Sequence, residues 1–204
     1  SKFSETQDMY RTFGPKKTVL HPPKFFANNA NSAIRRDLWL EHPFDEGLLG
    51  LEDIEWAKYW MEHRFQVVYE PEAALYHIHE ESWRQVRRRY YREAVAARRI
   101  GIKNLKHAIG TPIVESFRTI IDLGRLLSLA DKSKESQKKR WDLGRETMLF
   151  RTNKTIGTVK GLLDGATVKN KTSREDIFFD RFCRAVVIHG PGRASFEDIK
   201  IPAV

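Results

Sequence analysis

The stretch Phe44-Asp45-Glu46-Gly47-Leu48-Leu49-Gly50-Leu51-Glu52-Asp53-Ile54-Glu55-Trp56 decides how the first half of this chain is read. It sets two carboxylates, Glu52 and Asp53, at the start of a helix after a glycine-rich approach. Ile54, Ala57, Trp60 and Met61 recur at helical spacing, so a helix is predicted over 51–63. Glu52, Asp53 and Glu55 fall in its first turn, where the helix dipole favours anions. The ionised carboxylate is the state a general base needs before it can accept a proton, and the preceding glycines let a ligand come close. Acidic first turns also occur as plain dipole partners, so the surroundings of the pair decide its meaning.

Upstream, residues 1–24 are polar and carry Gly14-Pro15 and Pro22-Pro23, which predicts loop. Phe25 to Ile34 begins apolar and turns Asn-rich, a short strand running into a turn. Arg35 to His42 reads as a short helix that Pro43 stops. Downstream, Phe65 to Tyr69 reads as a strand, Pro71 breaks it, and Ala74 to His79 reads as a second strand. Ser82-Trp83-Arg84-Gln85 matches a capping box and opens a long helix with Trp83, Val86, Tyr90, Ala94 and Ala97 on one stripe and Gly101 as its C-cap.

The order of these segments resembles the family-2 glycosyltransferases of the GT-A fold. Phe26-Ala27-Asn28-Asn29-Ala30-Asn31-Ser32-Ala33-Ile34-Arg35-Arg36 matches that family's "N-x-A-x-R" strand and turn. Phe44-Asp45-Glu46 matches its "F-D-E" segment, Glu52-Asp53 its "E-D" helix, and Val67 to His77 its strand pair ending in a histidine. The resemblance covers about residues 20–100. It implies an inverting transfer of sugar from a nucleotide-diphospho-sugar to an acceptor hydroxyl of a glycan or lipid-linked molecule. Asp53 would be the general base and Glu52 would position the acceptor. Asn28, Asn31 and Arg35 would line the floor of the site, with Trp56 also against substrate. His77 would reach a divalent metal, Mn or Mg, that holds the diphosphate; His79, two residues on, is the competing ligand. The family's donor half carries an Asp-x-Asp motif, and this chain contains none. The segment that should carry it would precede Ser1, and the sequence enters in mid-flow, as an internal fragment would. The expected architecture is therefore α/β over 1–100, the acceptor half of a nucleotide-diphospho-sugar transferase, inactive on its own.

Beyond residue 100 the composition shifts. Residues 82–140 hold sixteen Lys and Arg against five Asp and Glu. Thr111 to Ala130 is amphipathic, with Ile113, Phe117, Ile120, Ile121 and Leu127 on one side and Glu115, Arg118, Asp122 and Arg125 on the other. Such a helix followed by basic residues suits either an interfacial membrane helix or a packed helix of a mainly α-helical extension over 101–180. Lys132 to Arg140 reads as a charged linker, and Trp141 to Leu163 as a helical region weakened by Gly144, Gly157 and Gly161. Over 181–204 the chain reads as a β-hairpin: Ala185 to Ile188 and Ser195 to Ile201 are strands around a Gly190-Pro191-Gly192 turn. These last residues resemble the opening hairpin of medium-chain, zinc-dependent alcohol dehydrogenases, which implies the start of a dehydrogenase domain without any of that family's catalytic ligands.

Charge and cysteine use bound the remaining classes. Net charge is +9 and the isoelectric point near 9.7, which attracts acidic partners: nucleotide phosphates, an anionic membrane surface or nucleic acid. The arginine-rich helix from Ser82 fits a solvated face, a phosphate contact or, through Trp83, Tyr90 and Tyr91, a nucleic-acid surface. No RNA-module signature accompanies it, so nucleic acid is not expected. A non-enzymatic basic helical module on membrane or nucleic acid is the alternative to the transferase. Cys183 is the single cysteine and has no internal partner. No apolar run approaches the roughly 20 residues of a membrane span, and no signal peptide opens the sequence. A cytoplasmic location is expected, with a peripheral position at the inner face of the cell membrane left open.

Overall fold

In the computed structural model, residues 2–75, 80–128, 134–165, 182–190 and 193–200 are described. They form two compact units, Ser1–Thr167 and Val168–Val204. In the first unit α1 (Phe3–Thr12) and β1 (Thr18–Leu20) precede α2 (Arg36–Glu41) and α3 (Glu52–Glu62). Then come β2 (Val67–Tyr69), α4 (Trp83–Arg99), α5 (Lys106–Ser128) and α6 (Lys134–Asp164). The second unit is an antiparallel hairpin of β3 (Phe182–Gly190) and β4 (Arg193–Lys200), with Val186 opposite Phe196 and an irregularity between Ile188 and Gly190.

The first unit is mainly helical, which corrects the α/β transferase half expected from sequence. Its only described sheet is two-stranded: β1 runs antiparallel to β2, with Thr18 opposite Tyr69 and Leu20 opposite Val67. The strand expected from Phe25 does not form. Residues 25–29 carry no regular structure, and β2 takes its partner from 18–20, inside the segment read as loop. Residues 3–12 of that same segment fold as α1. Its inward groups are Ser4, Glu5 and Asp8, so no apolar periodicity announces it.

Where caps and periodicity agree, the helices lie as expected. The Ser82 hydroxyl accepts from the Gln85 N–H and the Gln85 side chain accepts from the Ser82 N–H, a complete capping box. Gly101, at φ +78°, takes the left-handed conformation past the end of α4. Val86, Ala94 and Ala97 are buried along its inner stripe.

Helix α6 spans what sequence divides into a charged linker and a glycine-weakened region. Its glycines form the contact with α4. A Cβ built on Gly157 would collide with the Arg87 carbonyl oxygen, and one on Gly161 with the Tyr91 carbonyl oxygen, with Ala94 Cβ at 2.8 Å. The glycines read from sequence as weakening the helix thus serve a close backbone-to-backbone contact. Around it, Ala94, Ala108 and Leu162 form a core cluster with Val159 against it. Arginines of α4 reinforce the joint: Arg87 donates to Asn153 Oδ1 through Nε at 3.0 Å and Nη2 at 2.7 Å, and Arg98 donates to the Leu162 and Leu163 carbonyls.

The other half of the packing is ionic. The Arg151 guanidinium of α6 is almost wholly buried. It donates to Asp8 on α1 at 2.9 Å, to Glu115 on α5 at 2.7 Å and to Asp122 on α5 at 2.6 Å. Lys154 adds contacts of 2.6 Å to Asp8 and 3.1 Å to Glu115. Arg11 pairs with Asp8 and Asp122, and the Ser4 hydroxyl donates to Asp122 at 3.0 Å. Helix α5 therefore turns Glu115 and Asp122 inward, and its apolar row of Ile113, Phe117, Ile120, Ile121 and Leu127 outward. Sequence periodicity separates these two rows but does not say which of them faces the neighbouring helix.

Two outcomes follow from this packing. Gly161→Ala should destabilise the fold by about 1–3 kcal/mol, because the obstructing atom is a carbonyl that cannot rotate away. Gly124→Ala on α5, where nothing lies within 4 Å, should be neutral or stabilise by up to about 1 kcal/mol through helix propensity. Denaturant midpoints of the two variants check this contrast. The second outcome concerns acid. Burial pushes the Asp8 carboxyl up, but the Lys154 charge and hydrogen bonds from Arg151 and Lys154 outweigh it and hold the group at about 2. A folded-state value below the ordinary one gives stability that is present above about pH 4 and lost as pH falls towards 2. The Asp8→Asn variant should show a shallower fall in unfolding midpoint over that window than the parent.

Candidate functional site

The Glu52-Asp53 pair opens α3 as sequence predicts, through an unusual entrance. Gly50 lies at φ +154°, and Leu51, the residue before the helix, lies at φ 61°, ψ 24° in the left-handed region. For a residue with a Cβ this conformation costs about 1–2 kcal/mol. The surroundings hold it: the Leu51 carbonyl accepts the first helical hydrogen bond from the Glu55 N–H at 2.9 Å, and residues with such backbone strain gather at functional sites.

The Asn-rich turn sits over this helix start. The Asn29 N–H donates to Asp53 Oδ2 at 3.0 Å, while Asp53 Oδ1 accepts from the Ile54 N–H at 2.8 Å. Asn28 shapes the turn, its Oδ1 accepting from the Ala30 N–H at 2.9 Å and its carbonyl from the Asn31 N–H at 3.2 Å. The Asn31 side chain donates to the Ala73 carbonyl. The turn at 28–32, Asp53 of α3 and the segment leading out of β2 are thus tied together by hydrogen bonds. Each bridging group is exposed or half-buried, within reach of solutes.

Of the other three named residues, only Glu52 shares this helix start. Glu52 is half-buried beside Asp53 at the helix start. Arg35 is exposed; its guanidinium pairs with Asp37 and lies 5.7 Å from the Phe65 ring centre. Trp56 is buried. Its indole N–H donates to the His42 carbonyl at 2.6 Å, and its ring packs edge-on against Phe44 and Trp60. Together with Leu38 and Tyr59 these rings form the cluster that joins α2, the Phe44 segment and α3. His77 and His79 lie outside the described residues, and so does the metal-ligand assignment that rests on them. Among the described residues, no three His, Cys, Asp or Glu side chains gather as metal ligands.

Sequence reasoning passed over two parts of this region. Asn29 meets Asp53 through its backbone, and a backbone donor leaves no mark in residue type. The second part is a shallow groove of about 360 Å³ lined by Asp45, Leu48, Glu55, Lys58, Arg99 and Ile100. Arg99, at the end of α4, donates to the Gly47 carbonyl at 3.0 Å and so ties the glycine-rich approach to the long helix. Glu55 also faces His42 Nε2 at 3.4 Å, and the His42 ring stacks on Tyr59 with centroids 3.7 Å apart. Glu55 follows Asp53 by two residues, about 200° around the helix, so the groove and the Asn29–Asp53 contact occupy different sides of α3. The Glu55 and Lys58 spacing of three was the legible signal for it.

Comparison with protein-family models, with curated proteins and with solved structures gave no match. Among the described residues, no helix is long and apolar enough to cross a membrane.

The structural part played by Trp56 is measurable. Trp56→Phe keeps an aromatic ring in the cluster but leaves the half-buried His42 carbonyl without its indole donor. It should lower stability by about 1–2 kcal/mol, read from the denaturant midpoint.

Proposed function

We propose that residues 20–100 supply the acceptor side of an inverting sugar transfer, with Asp53 as general base. One observation carries the reading: the Asn29 N–H reaches Asp53 Oδ2 at 3.0 Å. It joins two of the segments on which the resemblance to family-2 glycosyltransferases rests, and the Asn31–Ala73 contact joins a third. In this reading an acceptor hydroxyl lies against the carboxylate of Asp53. As the hydroxyl oxygen attacks the anomeric carbon, its proton passes to Asp53. The bond from that carbon to the diphosphate oxygen breaks on the opposite face, and the electron pair leaves with the diphosphate. The configuration inverts through a transition state of oxocarbenium character.

The hydrogen bonds around Asp53 suit this work. Each carboxylate oxygen already accepts one backbone N–H, which fixes the group, and each keeps a second lone pair for a substrate proton. Glu52 positions the acceptor from the same turn of α3. Asn28 and Asn31 act by holding the turn that carries the Asn29 N–H, while Arg35 lies at the outer edge with Asp37.

The test is transfer from a panel of labelled nucleotide-diphospho-sugars by the complete natural polypeptide. Asp53→Asn keeps the shape and can still accept the Asn29 N–H, but it cannot take the proton. It should lower kcat by about 10²–10⁴-fold with donor affinity largely intact, and Glu52→Gln should mainly raise the acceptor KM. Near-normal turnover in Asp53→Asn would return Asp53 to the role of a dipole partner at a helix start.

A further inference from the structure

Helix α5 is inverted relative to the usual amphipathic helix. Glu115 and Asp122 are buried and met by Arg151, Lys154, Arg11 and Ser4. Ile109, Ile113, Phe117, Ile120, Ile121 and Leu127 are exposed, Phe117 by 64%, Ile120 by 66% and Leu127 by 75%. The row runs from 109 to 127 within roughly a third of the helix circumference, a ridge roughly 27 Å long at 1.5 Å per residue. Helix α5 packs on α6 along its other side. A contiguous apolar surface of this kind on a folded unit marks an interaction site.

We infer that this outer face of α5 docks on an anionic lipid surface, with the helix lying in the plane of the interface. Three features favour lipid over a second protein surface. First, the ridge carries no negative charge, because both acids of α5 face inward; a carboxylate on the face would be repelled by anionic headgroups. Second, basic residues gather where the ridge ends. Glu115 opposite Arg151 and Leu123 opposite Gly144 show that α5 and α6 run antiparallel. The end of α5 at Leu127 therefore lies at the end of α6 that carries Lys138, Lys139 and Trp141. Both lysines are exposed, and Trp141 is exposed by 80%. Lysine with tryptophan at the edge of an apolar face is the composition that anchors proteins at a headgroup layer. Third, Lys106 is exposed at the opposite end of α5, and residues 102–165 hold thirteen Lys and Arg against seven Asp and Glu, a net charge of 13 − 7 = +6. A convex single-helix ridge needs no complementary groove in a fluid lipid layer, whereas a protein partner would have to supply one. The chemistry is that of an interfacial helix held by apolar burial and electrostatic attraction together.

The experiment is co-sedimentation of the whole chain with phosphatidylcholine vesicles containing phosphatidylglycerol, against vesicles of phosphatidylcholine alone. The parent chain should bind the anionic vesicles, weaken as salt rises and bind the neutral vesicles poorly. The double variant Phe117→Glu/Ile120→Glu changes two exposed side chains, so circular dichroism and melting should match the parent. Its partitioning should fall by about tenfold or more, as two large apolar groups no longer enter the lipid. Absence of parental binding at low salt overturns the inference. Undiminished binding of a folded double variant also overturns it, since adsorption would then rest on basic charge alone. Sedimentation equilibrium without lipid supplies the last arm. A parental dimer that the double variant converts to monomer would assign the ridge to self-association instead; a parental monomer supports the lipid assignment.

Discussion

One guanidinium organises the helical unit. Arg151 sits nearly dry on α6 and is answered by Asp8 from α1 and by Glu115 and Asp122 from α5. Removing a cation and three carboxylates from water costs several kcal/mol per ion, and only close, well-directed contacts recover it. The recovery here fixes rotation as well as position. Helix α5 must present its acids to α6, and the opposite row of isoleucines then faces outward whatever its hydrophobicity prefers. Helix α1, polar along its length, exists as a packed helix because its Ser4, Asp8 and Arg11 complete the same cluster.

The region around Asp53 depends on a different kind of closure. Its core is a run of rings: Phe44, Trp56, Tyr59 and Trp60, with Leu38 beneath. These rings set the angle at which α3 begins, and the left-handed turn at Leu51 brings Glu52 and Asp53 under the Asn-rich turn. Trp56, Tyr59 and Trp60 of the cluster share α3 with Glu52 and Asp53, so packing on one side of the helix orients the carboxylates at its start. Arg99 carries this geometry to α4 through Gly47, which joins the ring cluster to the helical packing behind it.

What the sequence makes legible follows from which forces leave marks on residue order. Helices α2, α3 and α4 are legible because proline stops, acidic first turns and a capping box are local signals that the folded chain honours. The extent of α5 is mostly legible, though it begins at Lys106 and carries Pro112 inside. Its facing is not, because the rule that apolar residues point inward assumes a hydrophobic partner, and α6 offers Arg151 and Lys154. The α/β expectation fails for a related reason. Short apolar runs near 25 and 65 look like strands of a larger sheet, yet only β2 forms and its partner is three residues long. Within the site, the association of the Asn turn with the Glu52-Asp53 helix is readable from motif order. The atom that makes it, the Asn29 N–H, is not, and Trp56 reads equally as a ligand platform or as packing until its neighbours are known.

The glycine contact between α6 and α4 constrains how this chain can vary over time. Gly157 and Gly161 meet carbonyl oxygens of Arg87 and Tyr91, atoms that every amino acid carries. No replacement at position 87 or 91 can therefore open room for a larger residue at 157 or 161. A clash between two side chains can be cured by shrinking either one; this one can be cured only on α6. The interface is thus one-sided in its evolutionary freedom: α4 can change its side chains beside the contact, while α6 is held to glycine at 157 and 161. The two glycines are positions where drift ends, set by the backbone of the neighbouring helix and not by its sequence.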